Sequence, residues 1–310
     1  MYAIIGAGIA GLSAARVLTE VGRAVRVFEK SRGLGGRLAT RRGPNGAFDH
    51  GAQYASVRDP AFAAYADHAV AVGAAADWPR AGSETRRIVG LPGMSGLAKP
   101  LAEGIDIYRE VRVTAIGDGP GGLSLSVEEG AEQGPFEAVL CAVPAPQASA
   151  LLAPHGPPFE RIAQAVIAPC WSLMVVFESA PDLPQTRRAE EGAIGWLAHE
   201  GAKPGRAPGH RWIVHGSPAF SRAHLEEDRE TVSERLTAEL RTLAGGALPK
   251  IVHASAHRWR YSQVETPIGP SHLLSGDGRI GYCGDACLGG RVEAAFLSGR
   301  ALAQAMVDGV

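Results

Sequence analysis

The chain has 310 residues, of which 45% are hydrophobic and 20% are charged, the balance of an ordinary globular protein with room for two domains. Its 31 Lys and Arg residues offset 32 Asp and Glu residues, and the net charge of −1 gives no electrostatic argument for a nucleic-acid or membrane partner. No apolar run reaches the roughly 18 residues of a membrane span, and no basic segment precedes the first apolar run. We therefore expect a cytoplasmic protein.

A glycine motif lies near the start of the chain, between a predicted strand and a predicted helix. Residues 2–5 are apolar and predict a buried strand, and apolar residues at helical spacing follow the motif Gly6-x-Gly8-x-x-Gly11. The first glycine permits a tight turn, the second lets the backbone approach a pyrophosphate, and the third lets the helix pack against the strand. The helix N-terminus then offers free N–H groups to phosphates. This arrangement predicts a dinucleotide site.

Two features farther along the chain strengthen this prediction. A second predicted strand covers residues 24–28 and ends at Glu29, and an acidic residue about 20 positions beyond the glycine motif is the expected partner of a ribose 2′-hydroxyl. A second glycine cluster follows and ends in Gly36-Arg37. Its exposed N–H groups and the fork of donors on Arg37 are suited to contact a phosphate.

The middle of the chain alternates between strand-like and helix-like segments. The helix that begins at Pro60 has Asp59 as its N-cap, and residues 80–90 are a polar connection. Apolar patterning and turn residues predict the remaining elements. These are a short helix over 97–103, strands over 105–116, 123–127, 136–143, 173–177, 194–197 and 211–216, a helix over 228–243, a strand over 251–260 and a helix over 292–306.

A second motif lies near the end of the chain. A predicted strand ends at Gly284-Asp285, and a glycine loop then leads to a helix that begins near Arg291. One interpretation is that this second helix N-terminus faces the other end of the same dinucleotide, with Asp285 on a ribitol hydroxyl. The alternative is a structural loop with an ordinary helix cap.

Several motifs carry a resemblance to a known family. G-A-G-I-A-G, E-K-S-R-G-L-G-G-R and D-H-G-A-Q-Y resemble the FAD site of amine oxidase-like flavoproteins. Four later segments resemble the renalase family in its bacterial form: P-C-W-S-L-M-V-V-F, W-I-V-H-G-S-P-A-F-S, H-R-W-R-Y and G-D-A-C-L-G-G-R-V-E-A-A-F-L-S-G. The resemblance spans essentially the whole chain. One position departs from it, because we expect an aromatic residue after Gly-Asp where this chain has Ala286.

The resemblance implies an α/β fold with a Rossmann-type FAD-binding domain and a second, α+β substrate domain, as in p-hydroxybenzoate hydroxylase and the amine oxidases. The FAD domain would comprise residues 1–57, 91–148 and 268–310, and the substrate domain residues 58–90 and 149–267. Glu29 would hold the adenosine ribose, Arg37 would lie near the phosphates, and the backbone of Val111 would meet the adenine. The full set of implied cofactor-binding residues is Gly6, Gly8, Ala10, Gly11, Glu29, Lys30, Gly36, Arg37, Gln53, Tyr54, Val111, Gly284, Asp285, Arg291, Val292 and Glu293.

The implied activity is an FAD-dependent oxidation of dihydronicotinamide isomers of NAD(P) that carry the hydride at ring position 2 or 6. Dioxygen would then reoxidise the flavin and give hydrogen peroxide. The partners would be a dinucleotide substrate and dioxygen. The flavin would carry the chemistry, since the product is an aromatic cation and no proton has to be removed.

Five residues are candidates for the substrate pocket. An aromatic or histidine side chain is equally suited to a core position or to a position beside a nicotinamide ring. The pairs Arg86-Arg87 and Arg187-Arg188 are either solvated or in contact with the substrate's phosphates. The four cysteines lack a C-x-x-C pair, so we expect no metal site. The pocket candidates are Trp171, His215, His257, Trp259 and Tyr261.

Two other functions remain open. One is amine oxidation, although the lysine that commonly holds a water at flavin N5 in that superfamily is absent from residues 168–173. The other is a protein that binds FAD without turnover. In that case the aromatic residues of the second domain would have no reason to cluster.

Overall fold

The computed structural model describes residues 1–79 and 84–309, so the first four residues of the predicted connection over 80–90 lie outside the described part. The helices are α1 (Ile9–Glu20), α2 (Pro60–Ala71), α3 (Lys99–Ala102), α4 (Ala145–Leu152), α5 (Pro218–Ala223), α6 (Arg229–Leu243), α7 (Asp285–Leu288) and α8 (Val292–Asp308). The strands are β1 (Tyr2–Ile5), β2 (Val25–Glu29), β3 (Thr40–Gly43), β4 (Gly46–Asp49), β5 (Ala55–Ser56), β6 (Ala75–Asp77), β7 (Arg87–Gly90), β8 (Asp106–Arg109), β9 (Val113–Gly119), β10 (Gly122–Val127), β11 (Gln133–Phe136), β12 (Ala138–Cys141), β13 (Val166–Phe177), β14 (Thr186–Arg188), β15 (Ile194–His199), β16 (Arg211–Gly216), β17 (Ile251–Thr266), β18 (Leu273–Leu274) and β19 (Ile280–Tyr282).

The first half of the fold is built on a six-stranded sheet in the order β18-β19-β12-β1-β2-β8. Its strands run parallel except for the edge strand β18, which is antiparallel to β19. The central strand β1 is fully buried and leads directly into α1. A predominantly parallel sheet buried between helices is the Rossmann-type arrangement. The predicted α/β class is therefore confirmed.

Helix α8 packs directly on α1, and this brings the two ends of the chain together. A Cβ atom on Gly299 would lie 2.0 Å from the carbonyl oxygen of Ala10, so only glycine permits this approach. The Ser13 hydroxyl also donates to the carbonyl of Phe296, at 2.8 Å. The N-terminal and C-terminal motifs are thus held in one rigid layer.

The segment containing α2 packs on this first half of the fold. Tyr65 stacks on Phe296 of α8 with ring centroids 5.1 Å apart, and Phe62 contacts the same ring edge-on at 5.2 Å. Ile88 of β7 lies in the same core as Ile4. Residues 58–90 were predicted to belong to the substrate domain, but the apolar face of their described part packs into the core of the first half.

The second half is built on a five-stranded antiparallel sheet in the order β14-β15-β16-β13-β17. Side chains alternate between its two faces. Leu173 and Val175 of β13 face α6 and join Leu236 in one core. Met174 faces the opposite way and packs with Phe48, which comes from the first half of the chain. The predicted α+β second domain is confirmed, and its free face is turned toward the segment that follows Phe48.

Most predicted elements match the structure, and two of the predicted strands are wrong in their bounds. The strand predicted over 105–116 is two strands, β8 and β9, in different sheets. Glu110 separates them, because its left-handed backbone conformation, with φ 59°, is incompatible with a continuous strand. Similarly, Phe136 ends β11 rather than beginning β12. Both errors arise where only one to three residues separate two short strands, so the sequence pattern does not show the boundary between them. Among the described residues, no helix is long and apolar enough to cross a membrane.

Candidate flavin and substrate site

The three glycines of the N-terminal motif have three different surroundings. Gly6 adopts φ 105°, and a Cβ there would lie 2.9 Å from the Ala142 carbonyl oxygen. A Cβ on Gly11 would lie 2.0 Å from the carbonyl oxygen of Gly6, so the third glycine is needed for packing. A Cβ on Gly8, in contrast, would meet no atom within 4 Å. Gly8 is the N-cap of α1, and no side chain caps that helix. The turn thus leaves open space beside uncapped helical N–H groups.

The second glycine cluster forms the opposite wall of this space. The Gly35 amide donates to the Ala7 carbonyl at 2.8 Å, and a Cβ on Gly36 would lie 3.6 Å from Gly8 Cα. Glu29 is buried at the same place, where its carboxylate accepts from the amides of Ala7 and Ser31, each at 2.8 Å, and from the Ser31 hydroxyl. These bonds hold Glu29 against the turn and use only part of the capacity of its two oxygens.

Arg37 connects the N-terminal and C-terminal motifs. Its guanidinium donates two parallel bonds of 2.6 Å to the Asp285 carboxylate and a third, of 2.8 Å, to the Ser262 carbonyl. Burial opposes the charge, but the bidentate pair with Asp285 outweighs it and raises the pKa of Arg37. The sequence had assigned these two residues separately to phosphates and to ribitol. In the structure each neutralises the other between the two motifs.

Other residues of the predicted cofactor set have structural partners. The buried Glu293 carboxylate accepts from the amides of Arg58 and Asp59 at 2.7 and 2.8 Å, so its side chain anchors the start of α2. The Val111 amide donates to the Glu29 carbonyl at 3.0 Å, and Lys30 donates to the Gln147 side chain at 2.9 Å. Helix α8, like α1, begins without a side-chain cap.

The free face of the second sheet carries a row of aligned side chains. In the register of the four strands, Trp196 lies opposite His215, His215 opposite Ser172, and Ser172 opposite His257. Directly paired residues point to the same face of a sheet. Ser172 is fully buried, and its hydroxyl, like the Trp196 indole nitrogen, has no partner among the described residues.

The segment over 50–54 lies across this row. Gln53 Nε2 is 3.5 Å from His215 Nε2, and the Tyr54 ring is 5.7 Å from the Trp196 ring. The ring centroids of His50 and His257 are 4.8 Å apart, and the His50 backbone carbonyl accepts from the Trp259 indole at 2.7 Å. The structure therefore brings His215, His257 and Trp259 together with Gln53 and Tyr54. Tyr261 is half-buried farther along the same strand.

Trp171 does not belong to this group, and its assignment to the pocket is wrong. It is one residue before Ser172 on β13, so its side chain points to the opposite face of the sheet. There it is 1% exposed in the core beside α6, and its indole donates to the His224 carbonyl at 2.9 Å. The aromatic composition of the segment predicted a pocket residue, but the alternation along the strand decides its direction.

The histidines of the site are uncharged at neutral pH. Burial lowers the pKa of His215 to about 3, and the nearby cation of Lys203 adds to this effect. Burial and the neighbouring His50 and Arg41 lower the pKa of His257 to about 3, while burial and Arg41 lower that of His50 to about 4. Neutral imidazoles with such low pKa values are weak bases.

A buried charged cluster beside the site was not predicted from the sequence. Lys203 Nζ donates to Glu200 at 2.5 Å, to Gln53 at 3.0 Å and to Asp49 at 3.3 Å. Arg206 completes the cluster with a 2.6 Å bond to Asp49. Burial opposes ionisation of Asp49, but Lys203 and Arg206 outweigh it and lower its pKa. The only sequence signal was the E-x-x-K spacing of Glu200 and Lys203 in a chain with few lysines.

Two family models match the chain. A model described as an NAD(P)-binding Rossmann-like domain matches residues 4–69, and one described as a flavin containing amine oxidoreductase matches residues 68–307, more than half of the chain. The chain belongs to the flavin containing amine oxidoreductase family. This flavoprotein is accordingly an oxidoreductase whose cofactor is FAD.

Solved structures agree with this family at the level of the fold. A structure named as a protoporphyrinogen oxidase from Exiguobacterium sp. 255-15 has a TM-score of 0.76 at 15% identity, covering 99% of this chain and 98% of its own. Putrescine oxidase bound to putrescine has a TM-score of 0.71 at 14% identity, and the match covers 99% of this chain and 98% of the putrescine oxidase chain. A triple mutant of putrescine oxidase has a TM-score of 0.73 at 14% identity, and the match covers 100% of this chain and 99% of the mutant chain.

The residues of the glycine turn fit FAD. The space beside Gly8 suits a pyrophosphate, and the uncapped start of α1 supplies N–H donors and a positive dipole end. Glu29 lies at the end of β2, where its spare acceptor capacity suits ribose hydroxyls. Among the described residues, no group of His, Cys, Asp and Glu is arranged to hold a metal ion.

The buried histidines make stability depend on pH in a predictable direction. Because the folded pKa of His215 is about 3 and its unfolded pKa is near 6.5, unfolding takes up a proton between these values. The free energy of unfolding should therefore fall as the pH falls, by about 1.4 kcal/mol per pH unit for this residue.

His215→Gln should reduce this slope by about that amount between about pH 4 and pH 6. Urea unfolding at a series of pH values measures it, and His68→Gln, at an exposed position of α2, is the matched control. If His215→Gln and the wild type keep the same slope, His215 is not buried in the neutral form.

Proposed function

We propose that this flavoprotein oxidises the 2- and/or 6-dihydro isomers of NAD(P)H to NAD(P)+, with dioxygen as the final electron acceptor. Bound FAD would supply the hydride acceptor and pass the electrons to dioxygen, giving hydrogen peroxide. The renalase-like segments of the sequence support this choice within the family. The protein's own residues would orient a planar ring and exclude water.

The observation that carries the proposal is the chemical character of the face beside Gln53 and Tyr54. It presents aromatic rings and two histidines whose pKa values lie near 3. The buried carboxylates of Asp49 and Glu200, which Lys203 connects to Gln53, are bound to Lys203 and Arg206. Oxidation of a dihydronicotinamide requires no base, because hydride loss alone gives the aromatic product. A planar aromatic substrate also suits flanking rings.

We further propose roles for the site residues and a revised domain division. Gly6, Gly8 and Gly11 would cradle the pyrophosphate with Glu29 on the ribose, while Gln53 and Tyr54 would lie beside the flavin ring. The Arg37–Asp285 pair would lie between the phosphate and ribitol regions. The FAD domain would comprise residues 1–148 and 268–310, and the substrate domain residues 149–267.

Amine oxidation is the second candidate. The family match favours it, and so does a buried lysine, Lys203, whose Nζ is 3.0 Å from Gln53. However, Lys203 is tied to two carboxylates, and an amine enters as a cation that a free carboxylate would have to hold. Asp49 and Glu200 already pair with Lys203 and Arg206.

The test of the proposal is an oxygen-electrode assay of the purified holoprotein with each isomer. We expect one peroxide formed per NAD(P)+ released. A protein that binds FAD without turnover would consume no oxygen with any isomer or amine, and that result would contradict the proposal.

A further inference from the structure

Arg87 is a cation without a counter-ion at the edge of the proposed site. Its guanidinium carbon lies 4.3 Å from the centre of the Tyr54 ring. Its Nε is buried and has no hydrogen-bond partner among the described residues, and no described carboxylate forms an ion pair with it. A guanidinium placed over an aromatic ring has N–H donors at its edge that suit a planar or tetrahedral anion.

The adjacent residue shows what an ordinary surface arginine does in this segment. Arg86 directly precedes β7 and pairs with Asp67 at 2.6 Å and with Asp77 at 2.7 Å. Both carboxylates are largely exposed. The segment therefore has counter-ions available, and only Arg86 uses them.

A second arginine extends the positive charge along the same edge. Arg188 lies opposite Trp196 in the register of β14 and β15, so both side chains point to the face that carries His215 and Ser172. Trp196 in turn contacts Tyr54, with ring centroids 5.7 Å apart. Arg188 is exposed and forms no ion pair among the described residues. The Tyr54–Trp196 contact is thus bordered by two cations.

We propose that Arg87, assisted by Arg188, binds the phosphate oxygens of the substrate. This inference rests on the proposed function, because a dinucleotide carries its diphosphate beyond the nicotinamide ribose. Charge-assisted bonds from an arginine are strong and directional, so this contact would hold the substrate while its nicotinamide ring lies beside the flavin. An amine without a phosphate would gain nothing from it.

The test compares Arg87→Gln with Arg86→Gln on two substrates, the dihydronicotinamide dinucleotide and the corresponding riboside, which has no phosphate. Arg87→Gln should raise KM for the dinucleotide about 10-fold or more and leave KM for the riboside unchanged. Arg86→Gln should change neither value. Equal effects of Arg87→Gln on both substrates, or no effect on either, would overturn the proposal.

A binding measurement separates this inference from the proposed function. Inorganic pyrophosphate, titrated calorimetrically into the holoprotein, should bind the wild type and Arg86→Gln more tightly than Arg87→Gln. If no isomer is oxidised but pyrophosphate still binds the wild type more tightly than Arg87→Gln, the anion site is supported and the proposed activity is contradicted. If the isomers are oxidised and pyrophosphate binds Arg87→Gln and the wild type with equal affinity, the anion site is contradicted. A loss of FAD from Arg87→Gln would also overturn the proposal, because the contact would then be to the cofactor.

Discussion

Gly8→Val should give a folded protein that contains no FAD. Gly8 has φ −74° and ψ 176°, a conformation that valine adopts readily, and a Cβ there meets no protein atom within 4 Å. The new side chain would instead fill the space beside the start of α1, where the pyrophosphate is expected. The absorbance spectrum of the purified protein measures the loss of FAD, and thermal unfolding confirms that the fold is retained.

The matched control is Gly276→Val. This glycine is exposed and has nothing within 4 Å of an added Cβ. It precedes β19, whereas the turn follows the parallel strand β1, so it lies at the opposite edge of the sheet and the variant should bind FAD like the wild type. Gly11→Ala should instead disrupt the fold itself, because the new Cβ would lie 2.0 Å from the Gly6 carbonyl oxygen. Gly8→Val protein with a full complement of FAD would place the pyrophosphate elsewhere.

Lys203→Met should lower the free energy of unfolding by about 3–5 kcal/mol. The side chains of Lys203, Asp49 and Glu200 are all 0% exposed, so losing the ammonium leaves two buried carboxylates with the single cation of Arg206. The cost is the desolvation of a charge that has lost its partner. Denaturant unfolding, followed by tryptophan fluorescence, measures this change.

Lys250→Met provides the comparison for the same chemical change at the surface. Lys250 lies 3.5 Å from Glu178, and the two side chains are 74% and 62% exposed. Such an ion pair contributes at most about 1 kcal/mol, so the variant should be nearly as stable as the wild type. Similar losses in both variants would mean that the Lys203 cluster is solvated in solution.

The sequence predicts the FAD-binding half better than the substrate half. The glycine motif can be recognised because each glycine answers a local requirement of a turn, a cofactor or a helix contact. In the structure Gly6 adopts φ 105° in the turn, Gly8 borders open space, Gly11 packs against the Gly6 carbonyl, and Glu29 ends β2. The position of α8 against α1 follows from Gly299, whose role no local pattern reveals, because the contact joins distant parts of the chain.

The substrate face depends on long-range pairing, and this limits what the sequence predicts. His215 and His257 were identified as candidates, but Ser172 enters the row only through the register of three strands. The same register excludes Trp171. The place of Lys203 beside the site cannot be predicted from local sequence, because its partners Asp49 and Gln53 lie about 150 residues earlier in the chain. Composition indicates which side chains suit a site, whereas pairing decides which of them face it.

Anaerobic reduction of the bound flavin tests the proposed activity most directly. Mixing the holoprotein with 2- or 6-dihydro isomers of NAD(P)H should bleach the flavin absorbance within seconds, and admission of air should restore it. Ordinary 4-dihydro NADH should react about 100-fold more slowly, because the wrong ring carbon would lie nearest the flavin. Primary and secondary amines should not bleach the flavin. Rapid bleaching by an amine, with no response to the isomers, would contradict the account and assign this flavoprotein to amine oxidation.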